Sequence, residues 1–168
     1  MNLEIYIRDI PDFPKQGIVF KDITPMLGDP TAFSYCAESL VKMVTQPIDK
    51  VVCMDARGFF FGGLLAEKLK AGLVPVRKKG KLPSAIIEEA YALEYGDDTL
   101  QIHIDGINKG DKVLIHDDVL ATGGTAKAVC NLVERLGGEI VQCNFIIELG
   151  FLKGAKKLKV PVKSLLTY

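Results

Sequence analysis

The sequence predicts an α/β fold in which a parallel sheet is flanked by helices. Three observations favour this fold: short segments rich in β-branched residues alternate with longer helical segments, glycine and proline mark the breaks between them, and no repeat or linker interrupts the alternation. The 168 residues, 48% of them hydrophobic, are enough for a substantial core. We therefore expect a single domain over residues 1–168.

The first half of the chain is expected to contain two strands that alternate with two helices. Asp29 and Pro30 form a helix-start signal, and they predict a helix from 30 to about 45 that ends before Pro47. A strand at 50–54, a helix at 59–70 and a strand at 73–77 are expected to follow.

The second half begins with two segments, 84–91 and 99–104, that are predicted to pair as an antiparallel arm across the turn Gly96-Asp97-Asp98. The next elements are a strand at 112–116, a helix at 124–136 that stops at Gly137-Gly138, a strand at 140–149, a short helix at 152–158 and a strand at 164–167. Ligands of parallel α/β sheets bind outside the carboxyl ends of the strands, so the end of strand 112–116 is a candidate site.

Composition and charge exclude several classes of protein. Lys plus Arg and Asp plus Glu both number 21, so the formal net charge is zero and nothing indicates a nucleic-acid or charged membrane partner. No apolar run approaches the ~20 residues that span a bilayer, and the N-terminus has no signal-peptide pattern. The four cysteines are scattered without a C-x-x-C, so we expect reduced thiols, no structural zinc and a cytoplasmic location.

The most informative segment follows strand 112–116. Two adjacent carboxylates, Asp117 and Asp118, precede a Thr-Gly-Gly-Thr turn at 122–125 that opens a helix. The glycines permit positive φ, and successive N–H groups with the threonine hydroxyls form a concave anion site. The carboxylates would repel a phosphate, so we expect them to face sugar hydroxyls or a divalent cation. Because neighbours in a strand point to opposite faces, we expect the strand to end before the two aspartates, which lets both reach one site.

Phosphate beside ribose is the predicted ligand, and the competing phosphate signatures fail. No G-x-G-x-x-G is present, so the dinucleotide fingerprint is absent. Gly80-Lys81 is similar to the end of a P-loop, but Pro75 stands where glycine is needed and Leu82 where Ser or Thr is needed.

Residues 117–125 resemble the phosphoribosyl-pyrophosphate motif of type I phosphoribosyltransferases, and the Leu-Ala-Thr-Gly-Gly-Thr form at 120–125 is similar to that of members that act on adenine. The resemblance covers nearly the whole chain. It implies the family's fold, with a base-binding hood at 1–28 and a flexible arm at 84–104. It also implies that Asp117 and Asp118 are catalytic, holding ribose hydroxyls and offsetting positive charge on the sugar. The implied 5′-phosphate ligands are Thr122, Gly123, Gly124 and Thr125, and Ala121 is a further implied substrate-binding residue.

Two further segments carry cations suited to pyrophosphate. Arg57 follows strand 50–54 at the start of a helix, and its guanidinium fork matches pyrophosphate oxygens. It could be a plain surface residue, but the segment resembles the family's pyrophosphate loop, in which the peptide at Asp55-Ala56 is cis. Residues 77–81 hold four cations in five positions, and such runs are usually solvated. The resemblance assigns Arg77, Lys78 and Lys81, rather than Lys79, to pyrophosphate.

Two more segments complete the implied site. Residues 91–96 could be a mobile hairpin tip, but they resemble the loop that closes over the active site and excludes water, with Glu94 exchanging a proton with the purine and Tyr95 binding substrate. Residues 13–24 could be a plain hairpin, but they resemble the hood. There the carbonyl of Val19 and the N–H of Lys21 would read the donor and acceptor of adenine while Phe20 lies against the ring.

The resemblance implies transfer of phosphoribose from phosphoribosyl pyrophosphate to adenine N9, which gives AMP and pyrophosphate in purine salvage. Mg²⁺ is the implied cofactor, carried mainly by the substrate pyrophosphate rather than by protein ligands, and a homodimer is the implied assembly. Two alternatives stay open: another base (hypoxanthine, guanine, xanthine or orotate), and a regulator that binds phosphoribosyl pyrophosphate without catalysis. His103 and His116 are interpreted as structural residues rather than ligands.

Overall fold

The computed structural model describes residues 1–92 and 97–168. Two compact units share the chain, Met1–Ser39 and Leu40–Tyr168.

The first unit contains a hairpin of two antiparallel strands, β1 (Arg8–Pro11) and β2 (Val19–Asp22). A 3-10 helix, Glu4–Tyr6, precedes the hairpin, and helix α1 (Thr24–Gly28) follows it. Two cross-strand ion pairs stabilise the hairpin, because Arg8 lies opposite Asp22 and Lys21 lies opposite Asp9.

Helix α2 (Pro30–Lys42) begins where the sequence predicts. Asp29 Oδ1 accepts hydrogen bonds from the N–H groups of Thr31 (2.9 Å) and Ala32 (2.8 Å), so the predicted N-cap is confirmed. The helix ends three residues before the predicted Thr45, because the N–H groups of Met43 and Val44 donate to carbonyls only three residues back and close a tight last turn.

The second unit is built on a seven-stranded sheet in the order β5-β6-β4-β3-β7-β8-β9. Strands β4, β3, β7, β8 and β9 are parallel, and β6 pairs antiparallel with both β4 and β5. The strands are β3 (Lys50–Met54), β4 (Gly72–Lys78), β5 (Ile86–Ala92), β6 (Asp97–His103), β7 (Lys112–Leu120), β8 (Glu139–Glu148) and β9 (Val162–Thr167). The helices are α3 (Gly58–Leu69) and α4 (Gly124–Arg135), and two 3-10 turns, Gly150–Leu152 and Gly154–Lys157, stand in the region where one short helix is predicted.

The antiparallel arm is confirmed as a pair of strands. The register joins Ile86 to His103 and Tyr91 to Asp98. Strand β6 already begins at Asp97, inside the predicted turn, while residues 93–96 lie outside the described part of the chain.

The prediction that strand 112–116 ends before Asp117 and Asp118 is wrong. Strand β7 runs through Asp117 and Asp118 to Leu120, because β8 continues beside it and pairs Asp117 with Phe145 and Leu120 with Glu148. On the other edge, the pairing with β3 stops at His116. The two aspartates therefore lie in the last part of β7, which is paired on one side only.

The core lies between the sheet and α4. Residues 143 and 145–147 of β8 are fully or almost fully buried, as expected for a central parallel strand that is covered on both faces. Valines and leucines of α4 pack against this strand and its neighbours. Among the described residues, no helix has the length and apolarity that crossing a membrane would require.

We predict that Asp29→Ala destabilises the protein by about 1 kcal/mol, because two N–H groups at the start of α2 lose their acceptor. The measurement is urea unfolding at a fixed protein concentration. Asp29→Asn is the matched control and should keep most of the stability, since its amide oxygen still caps the helix. Equal unfolding free energies for the alanine variant and the wild type would refute the capping role.

Candidate active site

Three loops meet at one edge of the sheet. Strands β4, β3 and β7 are neighbours and parallel, so their carboxyl ends lie side by side. The ends of these strands and the loops that leave them contain the basic run at 77–81, the segment 55–57 and the turn at 121–123. Such an edge is the usual ligand site of a parallel α/β sheet.

Asp117 and Asp118 both reach the loop at the start of α3, although the strand continues through them. Arg57 Nε lies 2.8 Å from Asp118 Oδ2. Asp117 turns its carboxylate along the chain, where Oδ1 accepts the N–H of Asp118 at 2.9 Å. A Cβ atom on Gly58 would lie 2.9 Å from that same Oδ1, so only glycine leaves room for the Asp117 side chain there. The end of the β3 pairing at His116 opens this edge to the loop.

The two carboxylates perturb each other's protonation. Burial, followed by the charge of Asp118, raises the pKa of Asp117 well above its usual value. Burial also raises the pKa of Asp118, and the charge of Arg57 offsets part of that effect. Hydroxyl donors or a cation placed here would stabilise the ionised forms, which suits a sugar beside two carboxylates.

The turn after β7 forms a small pocket at the start of α4. Its cavity volume is about 80 Å³, and its walls are Asp117, residues 119–123, Thr125, Ala126 and Phe145. Gly123 has φ 78°, a left-handed conformation that favours glycine, and it caps the 12-residue helix α4. The helix N-terminus and the threonine side chains can hold an anion of phosphate size.

Gly154 supports this turn, and sequence reasoning missed it. A Cβ atom on Gly154 would overlap the carbonyl oxygen of Ala121 and lie 2.9 Å from the nitrogen of Gly123. A Cβ on Gly123 would in turn lie 2.5 Å from the carbonyl oxygen of Gly154. The two backbones are therefore in direct contact. A single glycine 31 positions along the chain belongs to no motif, so only the tertiary structure reveals this contact.

The basic residues divide into two groups. Arg77 Nε and Lys81 Nζ each lie 3.2 Å from Asp55 Oδ2, and the Asp55 side chain is 6% exposed. Burial by itself would raise the pKa of Asp55, but hydrogen bonds from Lys81 and Arg77 outweigh it and the pKa lies below its usual value. Lys78 Nζ instead lies 3.0 Å from Asp98 Oδ2 on β6.

Other predictions for this region have mixed outcomes. The implied cis peptide between Asp55 and Ala56 is confirmed. Lys79, which was not assigned to the site, pairs with Glu88 at 3.6 Å. Gln101 was missed as a support of the basic loop: its Oε1 accepts the N–H of Gly80 at 2.9 Å.

In the first unit, the hairpin orients the backbone of Val19 and Lys21. Pro11 lies opposite Val19 and has no N–H, so this pair cannot exchange both ladder hydrogen bonds. Hydrogen-bonded pairs alternate along an antiparallel ladder, so the backbone groups of Val19 and Lys21 face the same side of β2, and the missing N–H of Pro11 favours the side away from β1. The Lys21 ammonium pairs with Asp9 at 2.7 Å, and the Phe20 ring lies edge-on to Phe13 with centroids 5.2 Å apart.

The remaining predicted residues are the two histidines and two residues of the arm. His116 is fully buried, its Nδ1 lies 2.8 Å from Asn144 Oδ1, and burial lowers its pKa to about 4, so it stays neutral. His103 Nε2 hydrogen-bonds with the carbonyl oxygen of Pro83. Glu94 and Tyr95 lie outside the described residues.

A phosphoribosyl transferase domain model matches residues 35–166 of the chain. The chain belongs to the phosphoribosyltransferase family. A curated relative, the adenine phosphoribosyltransferase of Flavobacterium johnsoniae, is 64% identical over 170 aligned residues that cover all of both chains.

Solved members of this family share the fold. The adenine phosphoribosyltransferase of Rhodothermus marinus superimposes with a TM-score of 0.94 at 56% identity, covering 99% of this chain and 96% of that one. That of Saccharomyces cerevisiae, solved with adenine and an imino-altritol bisphosphate, superimposes with a TM-score of 0.88 at 41% identity, covering 98% and 96%. The type I phosphoribosyltransferase fold expected from the sequence is thus confirmed.

We predict that Gly154→Ala lowers the free energy of unfolding by about 1–3 kcal/mol, because the added methyl group overlaps the backbone of the turn after β7. Urea unfolding measures the change. Gly63→Ala in α3 is the matched control. Nothing lies within 4 Å of its Cβ position, so the free energy of unfolding should rise by about 0.5–1 kcal/mol. Equal free energies of unfolding for the two variants would show that the backbone of Gly154 does not lie against the turn after β7.

Proposed function

We propose that this protein transfers phosphoribose from phosphoribosyl pyrophosphate to N9 of adenine, forming AMP and releasing pyrophosphate in purine salvage. One observation carries the proposal: Asp117 lines the anion pocket at the start of α4, while its neighbour Asp118 pairs with Arg57 of the next loop. The two carboxylates therefore connect two anion-binding regions. A substrate with a phosphate at one end, a pyrophosphate at the other and ribose between them matches this order of charges.

The 5′-phosphate would bind the turn after β7. Its proposed ligands are the backbone and hydroxyl groups of Ala121, Thr122, Gly123, Gly124 and Thr125. Successive N–H groups at the start of a helix favour a phosphate without any cationic side chain. The pocket is about 80 Å³, and five of its residues are apolar: Val119, Leu120, Ala121, Ala126 and Phe145.

The pyrophosphate would bind Arg57, Arg77, Lys78 and Lys81. These cations come from two neighbouring loops, and each pairs with a carboxylate in the structure. Pyrophosphate carries more charge than a single carboxylate and offers several oxygens to an arginine fork, so it can compete for the same donors.

The carboxylates would act on the ribose. The transition state of this transfer resembles an oxocarbenium ion at C1′, and most of the catalysis is positioning and charge stabilisation. Asp117 and Asp118 would hold ribose hydroxyls and offset the developing positive charge. Both sit in a desolvated position, where a charge interaction is stronger than in water.

Adenine would bind the hood. The carbonyl of Val19 and the N–H of Lys21 belong to alternate residues of β2, so they would offer an acceptor and a donor on the same side of the strand. Adenine presents the complementary pair, and Phe20 would lie against the ring. Lys21 stands where many members have arginine, and a backbone contact is indifferent to that change. Glu94 and Tyr95 would complete the site from the arm, with Glu94 exchanging a proton with the purine.

Mg²⁺ is the proposed cofactor, bound mainly through the pyrophosphate of the substrate. The donor chemistry of the site fits this ion, because Mg²⁺ takes oxygen ligands and commonly joins substrate phosphates to one or two carboxylates. Asp117 and Asp118 are the carboxylates that would face it. When bound, it would neutralise charge on the departing pyrophosphate.

Two further properties belong to the same proposal. We propose a cytoplasmic protein, and the four free buried cysteines suit a reducing compartment. We also propose a homodimer, which rests on the family resemblance.

The proposal predicts that the purified protein forms AMP and pyrophosphate from adenine and phosphoribosyl pyrophosphate, and that chelation of Mg²⁺ abolishes the reaction. Pyrophosphate release should be assayed with adenine, hypoxanthine, guanine, xanthine and orotate in parallel, with a reaction lacking any base as the control. Turnover with another base would overturn the choice of adenine. Binding of phosphoribosyl pyrophosphate without turnover on any base would instead support a regulator.

A second prediction concerns the carboxylates. The double change Asp117→Asn and Asp118→Asn should lower kcat by at least about 100-fold, because the charges opposite the sugar are lost. Thermal stability should change far less, since burial raises the pKa of both carboxyls and neutral amides of the same size avoid that cost.

The matched control for this pair is Asp105→Asn, an exposed aspartate outside the site, which should keep wild-type kcat and melting temperature. Steady-state kinetics and thermal melts measure the two effects. A double variant with near wild-type kcat would refute the catalytic assignment.

A further inference from the structure

The hydroxyl group of Tyr91 lies where the arm, the basic loop and α4 meet. Tyr91 is paired in register with Asp98 across the arm, and its hydroxyl lies 3.3 Å from Asp98 Oδ2. The same oxygen of Asp98 lies 3.0 Å from Lys78 Nζ. On the other side, the Thr125 side chain lies next to the Tyr91 hydroxyl and lowers the pKa of Tyr91. A continuous chain of contacts therefore joins Thr125 to Lys78.

The hydrogen bonds in this series of side chains have a defined direction. Lys78 can only donate, and the carboxylate of Asp98 can only accept. The Tyr91 hydroxyl therefore donates to Asp98, and its oxygen can accept from the neighbouring hydroxyl of Thr125. Burial raises the pKa of Tyr91 above its usual value, so the phenol keeps its proton at neutral pH. Each polar group in the chain is oriented by its neighbour.

The surroundings keep Tyr91 in place. Its ring packs against the hydrophobic core beneath α4. The far end of α4 is tied to the same strand, because Arg135 donates to the carbonyl of Glu88 at 2.8 Å and Asn131 donates to Glu89 at 2.7 Å. Strand β5 therefore contacts α4 near both ends of the helix. Tyr91 makes the contact near the start of α4, beside the turn after β7.

We propose that Tyr91 is a positioning residue for phosphoribosyl pyrophosphate, orienting the Thr125 hydroxyl at the 5′-phosphate and, through Asp98, the Lys78 ammonium at the pyrophosphate. This inference rests on the proposed function and adds a residue that contacts neither end of the substrate. It links the two anion sites, so that the turn and the basic loop are held at a common spacing.

The test is Tyr91→Phe, which keeps the packed ring and removes only the hydroxyl. The KM for phosphoribosyl pyrophosphate should rise about fivefold, because one oriented hydrogen bond is lost at each anion site. The KM for adenine should change by less than about twofold, since the hydroxyl does not act on the base. Tyr35→Phe in α2 is the matched control, the same chemical change at an exposed residue outside the site, and should leave both constants unchanged.

A double-mutant cycle distinguishes positioning from a purely structural effect. If Tyr91 acts through Thr125, then adding Tyr91→Phe to Thr125→Val should raise the KM for phosphoribosyl pyrophosphate much less than it does in the wild type. Asp98→Asn breaks the chain at its centre and should also raise this KM selectively. It keeps the inference testable if the tyrosine variant folds poorly, which circular dichroism would reveal.

Three results would overturn the inference: an unchanged KM for phosphoribosyl pyrophosphate in a folded Tyr91→Phe, equal rises for both substrates, or full additivity in the cycle. Failure of the proposed function looks different, because the wild-type protein itself would then form no AMP. In that case calorimetric titration with phosphoribosyl pyrophosphate alone still tests Tyr91, with the same fivefold loss expected in Kd.

Discussion

The desolvation of two adjacent carboxylates is the constraint on which the rest of the site depends. Asp117 and Asp118 are consecutive residues of one strand, and burial raises the pKa of both. Two features of the neighbouring loop make this arrangement tolerable. Arg57 places its charge 2.8 Å from Asp118, and Gly58 leaves the space that the Asp117 carboxylate occupies. A larger residue at 58 would leave no room for the Asp117 carboxylate. A neutral residue at 57 would leave the buried negative charge of Asp118 without a positive partner.

The cations of the site are likewise held beside groups of opposite charge. Arg77 and Lys81 converge on the nearly buried Asp55, and Lys78 is held by Asp98. Carboxylates thereby hold the positive groups in place at the sheet edge, so that little reorganisation is needed when an anion arrives. Such preorganised charge is the main means by which a protein can assist a transfer that needs little covalent chemistry. The backbone contact between Gly154 and the turn after β7 fixes the remaining anion site in a similar way.

Much of this arrangement could be predicted along the chain. Asp29 capped α2 as expected, the arm paired in the expected antiparallel sense, and the motif at 117–125 lay at the sheet edge. The prediction for β7 failed because the alternation of side chains along a strand does not reveal where the neighbouring strands of the sheet end. Strand β8 extends beyond β3, so Asp117 and Asp118 stay in the ladder on one side while their other edge is open to Arg57 and Gly58. The roles of Val19, Phe20, Lys21 and Glu94 remain proposals.

The sequence by itself determined the fold class, the family and the residue types that meet at the candidate site, because these depend on local periodicity and on short motifs. Only the tertiary structure decided which charges pair, since Arg57 with Asp118 and Lys81 with Asp55 join residues 61 and 26 positions apart. It also decided that Gly154 supports the turn after β7 and that the Tyr91 hydroxyl lies beside Asp98 and Thr125. Such contacts follow from strand order and packing, and no spacing along the chain encodes them.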